Sequence, residues 1–119
     1  MRLGARLPAA VATALALACL PAAAQQPTTF LSGNDLWSHC SGKSVFDAGL
    51  CTGYVAGIAD ALGAGSAIFG NWACLPEGVN GEQAQDVVMR YLEQHPETRY
   101  YSAAILVAEA LAQAFPCKP

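Results

Sequence analysis

Four cysteines in a short chain limit the structures that the chain can adopt. They are Cys40, Cys51, Cys74 and Cys117, once Cys19 in the apolar N-terminal segment is set aside. The shortest spacing is eleven residues, far from the C-x2-C pairs of structural zinc sites, so no metal site is predicted. An even number of cysteines in a small exported protein predicts two disulfides. Four cysteines allow three pairings, and spacing alone does not select one.

The N-terminus has the features of a secretory signal peptide and thereby predicts export. Two arginines occur among the first six residues, residues 7–20 are rich in Ala and Leu, and small residues fill positions 21–24. We therefore predict a signal peptide over residues 1–24 and a mature exported domain over residues 25–119. The apolar run is shorter than the roughly 18 residues of a membrane-spanning helix, which argues against an uncleaved anchor.

A lipid anchor is the alternative for the N-terminus. Residues 16–19 loosely resemble a bacterial lipobox, which would leave Cys19 as the lipid-modified residue of an envelope component. The position three residues before such a cysteine is usually Leu, and here it is Ala16. The sequence therefore favours a cleaved signal peptide.

The charge of the mature chain indicates which partners it avoids. After residue 24, four basic side chains stand against nine acidic ones, a net charge of −5. An acidic surface repels nucleic acid and anionic membranes, so we expect neither as a partner and no stable membrane span after cleavage. The mature length allows one domain of ordinary size.

Hydrophobic periodicity predicts four helices and no strands, which places the chain in the all-α class as a single small domain. Ser32 or Asn34 can cap a short first helix. A second helix is predicted from about Val45 to Phe69. Its apolar residues recur every four positions, at Phe46, Leu50, Tyr54, Ile58 and Leu62.

The second predicted helix also carries three glycines at intervals of four residues, Gly49, Gly53 and Gly57. Glycine destabilises a helix interior by about 1 kcal/mol relative to alanine. The stripe therefore predicts a face that another backbone approaches closely, from the same chain or from a second subunit. Membrane helices use such stripes as well, but Asp60 near the middle favours a buried helix of a soluble protein.

The third and fourth predicted helices have clear boundaries. Asn80 and Gln83 form a variant of the capping box at the start of the third helix. This helix ends at His95, because the residue before Pro96 is pushed out of the helical backbone region. Thr98 or Ser102 caps the fourth helix. The buried faces are predicted to contain Ala84, Val87, Val88, Tyr91 and Leu92 in the third helix, and Ala104, Val107, Ala108, Leu111 and Phe115 in the fourth.

This arrangement of helices selects one disulfide pairing. The link between the third and fourth helices is short, so these helices must run antiparallel. Cys117 at the end of the fourth helix therefore lies near Cys74, which precedes the third. Cys40 and Cys51 flank the turn between the first two helices. We predict the disulfides Cys40–Cys51 and Cys74–Cys117.

The sequence contains no recognisable catalytic or cofactor-binding motif. No serine lies in a G-x-S-x-G context, and no phosphate-binding loop is present. The two histidines, His39 and His95, lie on different elements with no nearby carboxylate pattern. We therefore expect a protein that is not an enzyme and that requires neither a cofactor nor a metal ion.

Binding remains as the predicted activity, and the link between the last two helices is the candidate surface. It combines both signs of charge with two consecutive tyrosines, and tyrosine and arginine are enriched at binding hot spots. Loops between helices are exposed. The predicted partner-binding residues are His95, Glu97, Arg99, Tyr100 and Tyr101. The alternative is that one of the tyrosines packs into the core at the start of the fourth helix.

Several stretches, taken together and in order, resemble the Rap/Tai family of type VI secretion immunity proteins. The resemblance covers nearly all of the predicted mature chain, and each stretch alone would be weakly specific. The stretches are FLSGNDL at residues 30–36, CTGYVAGIAD at 51–60, CLPEGV at 74–79, YLEQHPE at 91–97 and AFPC at 114–117.

This resemblance implies an all-helical periplasmic protein, often a homodimer, that blocks a secreted peptidoglycan amidase. Blocking would occur by occlusion, in which surface elements cover or enter the active-site cleft of the amidase effector. A protein of another class is the alternative: an Hde-like periplasmic acid-stress chaperone or other envelope binding protein. Such a chaperone would expose apolar surface as its carboxylates lose charge in acid.

Overall fold

Four α-helices form the described part of the chain, residues 3–4 and 29–118 of a computed structural model. They are α1 (Gly33–Ser41), α2 (Val45–Gly63), α3 (Gly81–Gln94) and α4 (Ala103–Ala114). A short 3-10 turn, Pro96–Thr98, lies between α3 and α4. No strand occurs among the described residues, and the predicted all-α class is confirmed. The predicted signal peptide, including Cys19, lies outside the described residues except for Leu3 and Gly4.

The core is built around α4, and every helix contacts the three others. Half of the twelve residues of α4 are buried, because this helix lies between its neighbours rather than on one side of them. The buried side chains are Leu36 from α1, Cys51, Val55 and Leu62 from α2, Ala73 from the connection to α3, Ala84, Val88 and Leu92 from α3, and Ala103, Leu106, Val107, Ala108, Ala110 and Leu111 from α4.

Local capping fixes where three of the helices begin. The predicted capping box at Asn80 is confirmed, with Gln83 N–H donating to the Asn80 side chain and the Gln83 side chain accepting in return. Ser32, one of the two predicted caps of α1, forms the same reciprocal arrangement with Asp35. Ser44 caps α2 by accepting a hydrogen bond from the backbone of residue 47. These bonds satisfy helix N–H groups that otherwise lack a partner.

Helix α2 is shorter than the sequence predicted, ending at Gly63 instead of Phe69. Gly65 has a φ of +87°, a conformation that favours glycine and that stops the helix. Phe69 and Gly70 then adopt positive φ values in a tight turn, across which Ile68 pairs with Asn71. The backbone therefore reverses direction within the segment predicted to be the last helical turn.

Helix α2 is also far more exposed than predicted. Only three of its residues are buried, namely Cys51, Val55 and Leu62, so the prediction of a buried helix was wrong. Phe46, the first residue of the predicted apolar repeat, is 69% exposed. By length and apolar composition Val45–Gly63 resembles a membrane-spanning helix, a criterion that core helices of soluble proteins also meet.

Both predicted disulfides are confirmed. Cys40 bonds to Cys51 with their Cα atoms 5.0 Å apart, and Cys74 bonds to Cys117 with a separation of 4.9 Å. The enclosed segments span 11 and 43 residues. By the chain-entropy relation, disulfides over such loops stabilise the fold by about 3 and about 4 kcal/mol.

Candidate functional site

The segment between α3 and α4, residues 95–101, is called the link below and contains all five predicted partner-binding residues. Pro96 stops α3 and starts the 3-10 turn. The Thr98 hydroxyl and backbone N–H both donate to the His95 carbonyl, each at 3.2 Å. Tyr101 N–H donates to the Thr98 carbonyl at 2.9 Å. The link is therefore a compact, internally bonded turn.

Backbone hydrogen bonds from the N-terminus of α1 hold the link in place. Gly33 N–H donates to the Tyr101 carbonyl at 2.8 Å, and Asn34 N–H donates to the Arg99 carbonyl at 2.7 Å. The first N–H groups of a helix have no partner within the helix, so the link carbonyls satisfy them. A Cβ atom on Gly33 would lie 2.8 Å from the Arg99 carbonyl oxygen and would also meet the Leu106 side chain. Glycine at this position permits the close approach.

Arg99 is half-buried and its side chain bonds within the protein. Its Nε–H donates to the Leu92 carbonyl at 2.6 Å, near the end of α3. Its guanidinium carbon lies 4.0 Å from the ring centroid of Trp37 on α1, a cation–π contact. The side chain thus joins the link to α3 and α1.

His95 and Glu97 form a polar cluster at the start of the link. His95 Nδ1 lies 3.2 Å from Glu97 Oε1. The pKa of Glu97 is held below its usual range by a hydrogen bond from its own backbone N–H, with His95 contributing next. The His95 ring also packs on Tyr91, at 4.4 Å between centroids.

Tyr91 on α3 packs against the His95 ring of this cluster and links it to α4. Its hydroxyl donates to Glu109 on α4 at 2.8 Å. Burial, with the hydrogen bond to Glu109 as the second cause, raises the pKa of Tyr91 to about 12. The neutral phenol therefore connects the two helices that the link joins.

The two tyrosines form the outer tip of the link. Tyr100 is 67% exposed and Tyr101 is 48% exposed. Their rings lie 4.3 Å apart between centroids, tilted by 39°. The alternative prediction, in which one tyrosine packs into the core, is not what the structure shows. Two adjacent aromatic rings in solvent provide apolar area for a partner.

A second polar cluster lies at the start of α2, and here the sequence prediction was wrong. His39 Nδ1 lies 2.7 Å from Asp47 Oδ1 although no carboxylate was expected near either histidine. Hydrogen bonds from Ser44 first, and from His39 second, lower the pKa of Asp47. The carboxylate lies between serine and histidine, whereas nucleophilic catalysis requires the histidine between the other two. This cluster therefore caps α2 and ties it to α1.

Two residues that position the link were missed by sequence reasoning. Gly33 and Trp37 lie on α1, some 60 residues before the link, and their contacts with Arg99 follow only from the packing of α1 beside α3 and α4. Glycine as the first residue of α1, directly after the Ser32 cap, was the one available signal. In the described residues, no group of three or more His, Cys, Asp or Glu side chains is placed to hold a metal ion.

Most of the chain matches a known protein family. The family model of Rap1a immunity proteins matches residues 32–117. The match begins at the cap of α1, ends at Cys117 and includes the four helices and the link. No curated protein and no solved structure matches the chain.

Proposed function

Because the chain belongs to the Rap1a immunity family, we propose that it is a periplasmic immunity protein that blocks a peptidoglycan amidase delivered by a type VI secretion system. The family match supports immunity against a secreted effector. The two disulfides agree with a periplasmic location, since disulfides persist in that compartment. Type VI delivery and the amidase target are the finer parts of the proposal.

The observation that supports the link as the contact surface is the pair of exposed tyrosines on a turn that the chain itself holds. The side chains of Tyr100 and Tyr101 project into solvent, while the backbone carbonyls of Arg99 and Tyr101 accept hydrogen bonds from α1. An ordered turn loses little conformational entropy on binding, so most of the contact energy contributes to affinity. We assign contact roles to Tyr100, Tyr101, His95 and Glu97.

Arg99 has a different role in this proposal. Its guanidinium is already engaged with the Leu92 carbonyl and the Trp37 ring, and its own carbonyl accepts from α1. We therefore propose that Arg99 positions the link and leaves direct contact with the effector to its neighbours.

Inhibition requires only that the link and the substrate compete for one space. An amidase that cleaves peptidoglycan must admit a peptide into an open cleft. An aromatic tip seated in that cleft excludes the peptide without any chemical step. The net charge of −5 after residue 24 favours rapid association with an effector that carries positive charge around its cleft.

We also propose that the immunity protein acts as a homodimer, as the Rap/Tai resemblance implies. Each copy then presents one link to one effector. The link is built entirely from one chain, since α1, α3 and α4 supply every contact described above. Effector binding at the link is therefore expected from the monomer as well.

The test is capture of the effector by the protein itself. The tagged protein, exported with its own N-terminus, serves as bait for secreted and periplasmic proteins of its own strain. We expect recovery of one small amidase whose cleavage of peptidoglycan the bait inhibits. A bait carrying Tyr100→Ala and Tyr101→Ala is the matched control and should recover much less. Capture of many unfolded proteins at low pH only would instead support an acid-stress chaperone.

A further inference from the structure

An open cavity of about 330 Å³ lies between the second half of α2 and the start of α3, and is called the α2–α3 cavity below. Its lining is mostly apolar and comes from both helices and from the connection between them. The apolar lining includes Ala56, Ala59, Leu75, Val79 and Ala84. The one charged side chain in the lining is Asp60 of α2.

We propose that the α2–α3 cavity binds a lysine or arginine side chain on a segment of a partner protein, with the Asp60 carboxylate pairing with its charge. This role is separate from the proposed function, because the link lies at the other end of α3. The aliphatic stem of lysine or arginine covers apolar surface while the charged head stays in water. The cavity offers both environments side by side, since Ala84 is buried and Asp60 is exposed.

The charges around the cavity favour a cation as its occupant. Between residues 56 and 84 the chain carries three acidic side chains, Asp60, Glu77 and Glu82, and no Lys, Arg or His. In the part of the chain that the structure describes, the Asp60 carboxylate forms no ion pair. A basic side chain from a partner would therefore be attracted to the cavity without displacing a residue of this chain.

The position of Asp60 along α2 is electrostatically unfavourable until a cation binds beside it. Asp60 lies in the last turn of α2, and that turn contains no basic residue. The C-terminus of a helix carries partial negative charge, which repels a carboxylate and attracts a cation. At the start of α3 the opposite partial charge is offset by Glu82. A cation at Asp60 would therefore offset both the carboxylate and the dipole of α2.

The size and shape of the cavity favour a side chain over a free small molecule. Sites for small molecules have volumes of about 300 to 1,000 Å³ and bury most of the ligand surface. The α2–α3 cavity is at the lower end of this range and is open to solvent. It therefore suits a single side chain whose backbone passes across the mouth of the cavity.

Titration with blocked tripeptides, followed by NMR on the disulfide-bonded protein purified from the periplasm, tests the proposal. The probes are acetyl-glycyl-lysyl-glycinamide and its arginyl analogue, and the norleucyl analogue is the control with a stem but no charge. We expect saturable shifts of the backbone amide signals of Asp60, Gly63 and Gly81, with dissociation constants of about 1 to 10 mM for the basic peptides. The norleucyl peptide should bind at least about threefold more weakly. Equal binding of all three peptides, or no saturable shift with either basic peptide, would overturn the proposal.

Asp60→Asn tests the role of the carboxylate. It should raise the dissociation constant of the lysyl peptide at least about threefold and remove the preference over the norleucyl peptide. Asp86→Asn is the matched control, because it removes an exposed carboxylate of α3 that lies outside the lining. Equal weakening by the two variants would show that only the overall negative charge attracts the peptide, and would overturn a site at Asp60.

Ala56→Leu tests the cavity itself. Ala56 is half-buried and borders open space, so a leucine there can occupy the cavity and should abolish the shifts caused by both basic peptides. Ala48→Leu adds the same side chain at an exposed position of α2 and should leave binding unchanged. Circular dichroism verifies that both variants are folded. Unchanged binding in folded Ala56→Leu would overturn the cavity as the site.

Two further results would assign a different occupant and so overturn a partner segment. Lys118 follows Cys117, whose disulfide partner Cys74 adjoins Leu75 in the lining. Peptide binding that occurs only after Lys118→Gln would show that the chain's own lysine fills the cavity. Tighter binding of butylamine than of the lysyl peptide would assign the cavity to a small amine. Effector capture through the link reports on the immunity function separately.

Discussion

The link and the exposed side of α2 that carries Gly49, Gly53 and Gly57, called the open face below, are held differently by the chain. In the link, backbone carbonyls accept hydrogen bonds from the start of α1, and Arg99 bonds to the end of α3. On the open face, a Cβ atom added to any of the three glycines would meet no atom within 4 Å apart from the adjacent backbone of the same helix. One region has exposed side chains on a fixed backbone, and the other has an exposed backbone with few side chains.

This difference separates two kinds of binding surface. A fixed turn that projects two aromatic rings can fill a concave site on another protein without reorganising. A flat helix face presents little to a concave site, but it allows another helix to pack closely. The proposed function places the effector at the link, and substitutions in the two regions can test that proposal.

The largest expected effect is on stability, from removing a disulfide that supports neither surface directly. Cys74→Ser with Cys117→Ser opens a loop of 43 residues and should lower the free energy of unfolding by about 4 kcal/mol. Urea unfolding measures this change. Where the variant is folded, effector affinity should persist, because α1 and Arg99 hold the link. Loss of affinity in folded protein would mean that the link depends on the far end of the molecule.

Gly33→Ala should disturb the link itself. Its new Cβ atom would stand 2.8 Å from the Arg99 carbonyl oxygen, so either the link or α1 must move. We expect a loss of about 3 kcal/mol in unfolding free energy together with weaker effector binding, measured by urea unfolding and by titration calorimetry. Unchanged values for both would show that α1 does not hold the link in place.

Tyr100→Ala should weaken effector binding without affecting the fold. A hot-spot aromatic contributes about 2 kcal/mol, or about a 30-fold change in affinity. Phe69→Ala is the matched control, because Phe69 is a similarly exposed aromatic outside the link. Titration calorimetry compares the effector affinities of the two variants, and melting temperatures verify that both are folded. An equal loss in the two variants would argue against a specific role for the link.

Tyr91→Phe tests the side-chain hydrogen bond that connects α3 to α4 next to the link. At neutral pH the lost hydrogen bond to Glu109 should cost about 1 kcal/mol of stability. The pKa of Tyr91 is raised to about 12 in the folded protein, above its ordinary value near 10. Its contribution to stability is therefore complete below pH 10 and is lost as the pH rises toward 12. Unfolding curves from pH 8 to 12 should show a smaller alkaline loss in the variant than in the wild type.

Gly53→Ala should have the smallest effect, with the opposite sign to Gly33→Ala. The added Cβ meets no atom within 4 Å, and alanine is the better helix former. Stability of the monomer should rise by about 0.5 to 1 kcal/mol while effector affinity stays the same. Thermal unfolding at low protein concentration measures this gain. A destabilised monomer would show that the open face is covered within the chain.

Local sequence signals predicted much of the fold. The capping sequence at Asn80, the cap of α1 at Ser32 or Asn34, and the stop at His95 depend on neighbouring residues only, so they were predicted without knowledge of the packing; the structure selects Ser32. The disulfide pairing followed from a short link that forces two helices antiparallel. The end of α2 was misplaced because Ile68 and Phe69 continue an apolar pattern after Gly65 has already stopped the helix.

Burial and the supports of the site could not be predicted in the same way. The apolar composition of α2 indicates a buried helix, but the other elements among the described residues leave one side of it uncovered. The exposed tyrosines were predicted from their place between two helices. The roles of Gly33 and Trp37 depend on α1 packing against distant parts of the chain, which no spacing in the sequence encodes.

Hydroxyl-radical footprinting tests the central claim most directly, because it reports the accessibility of individual aromatic side chains. Tyr100, Tyr101 and Phe46 are all exposed and can be followed in one experiment. We expect the captured effector to protect both tyrosines at a protein concentration where the chain is monomeric, and to leave Phe46 unchanged. Protection of Phe46 by the effector, with both tyrosines still reactive, would contradict the account.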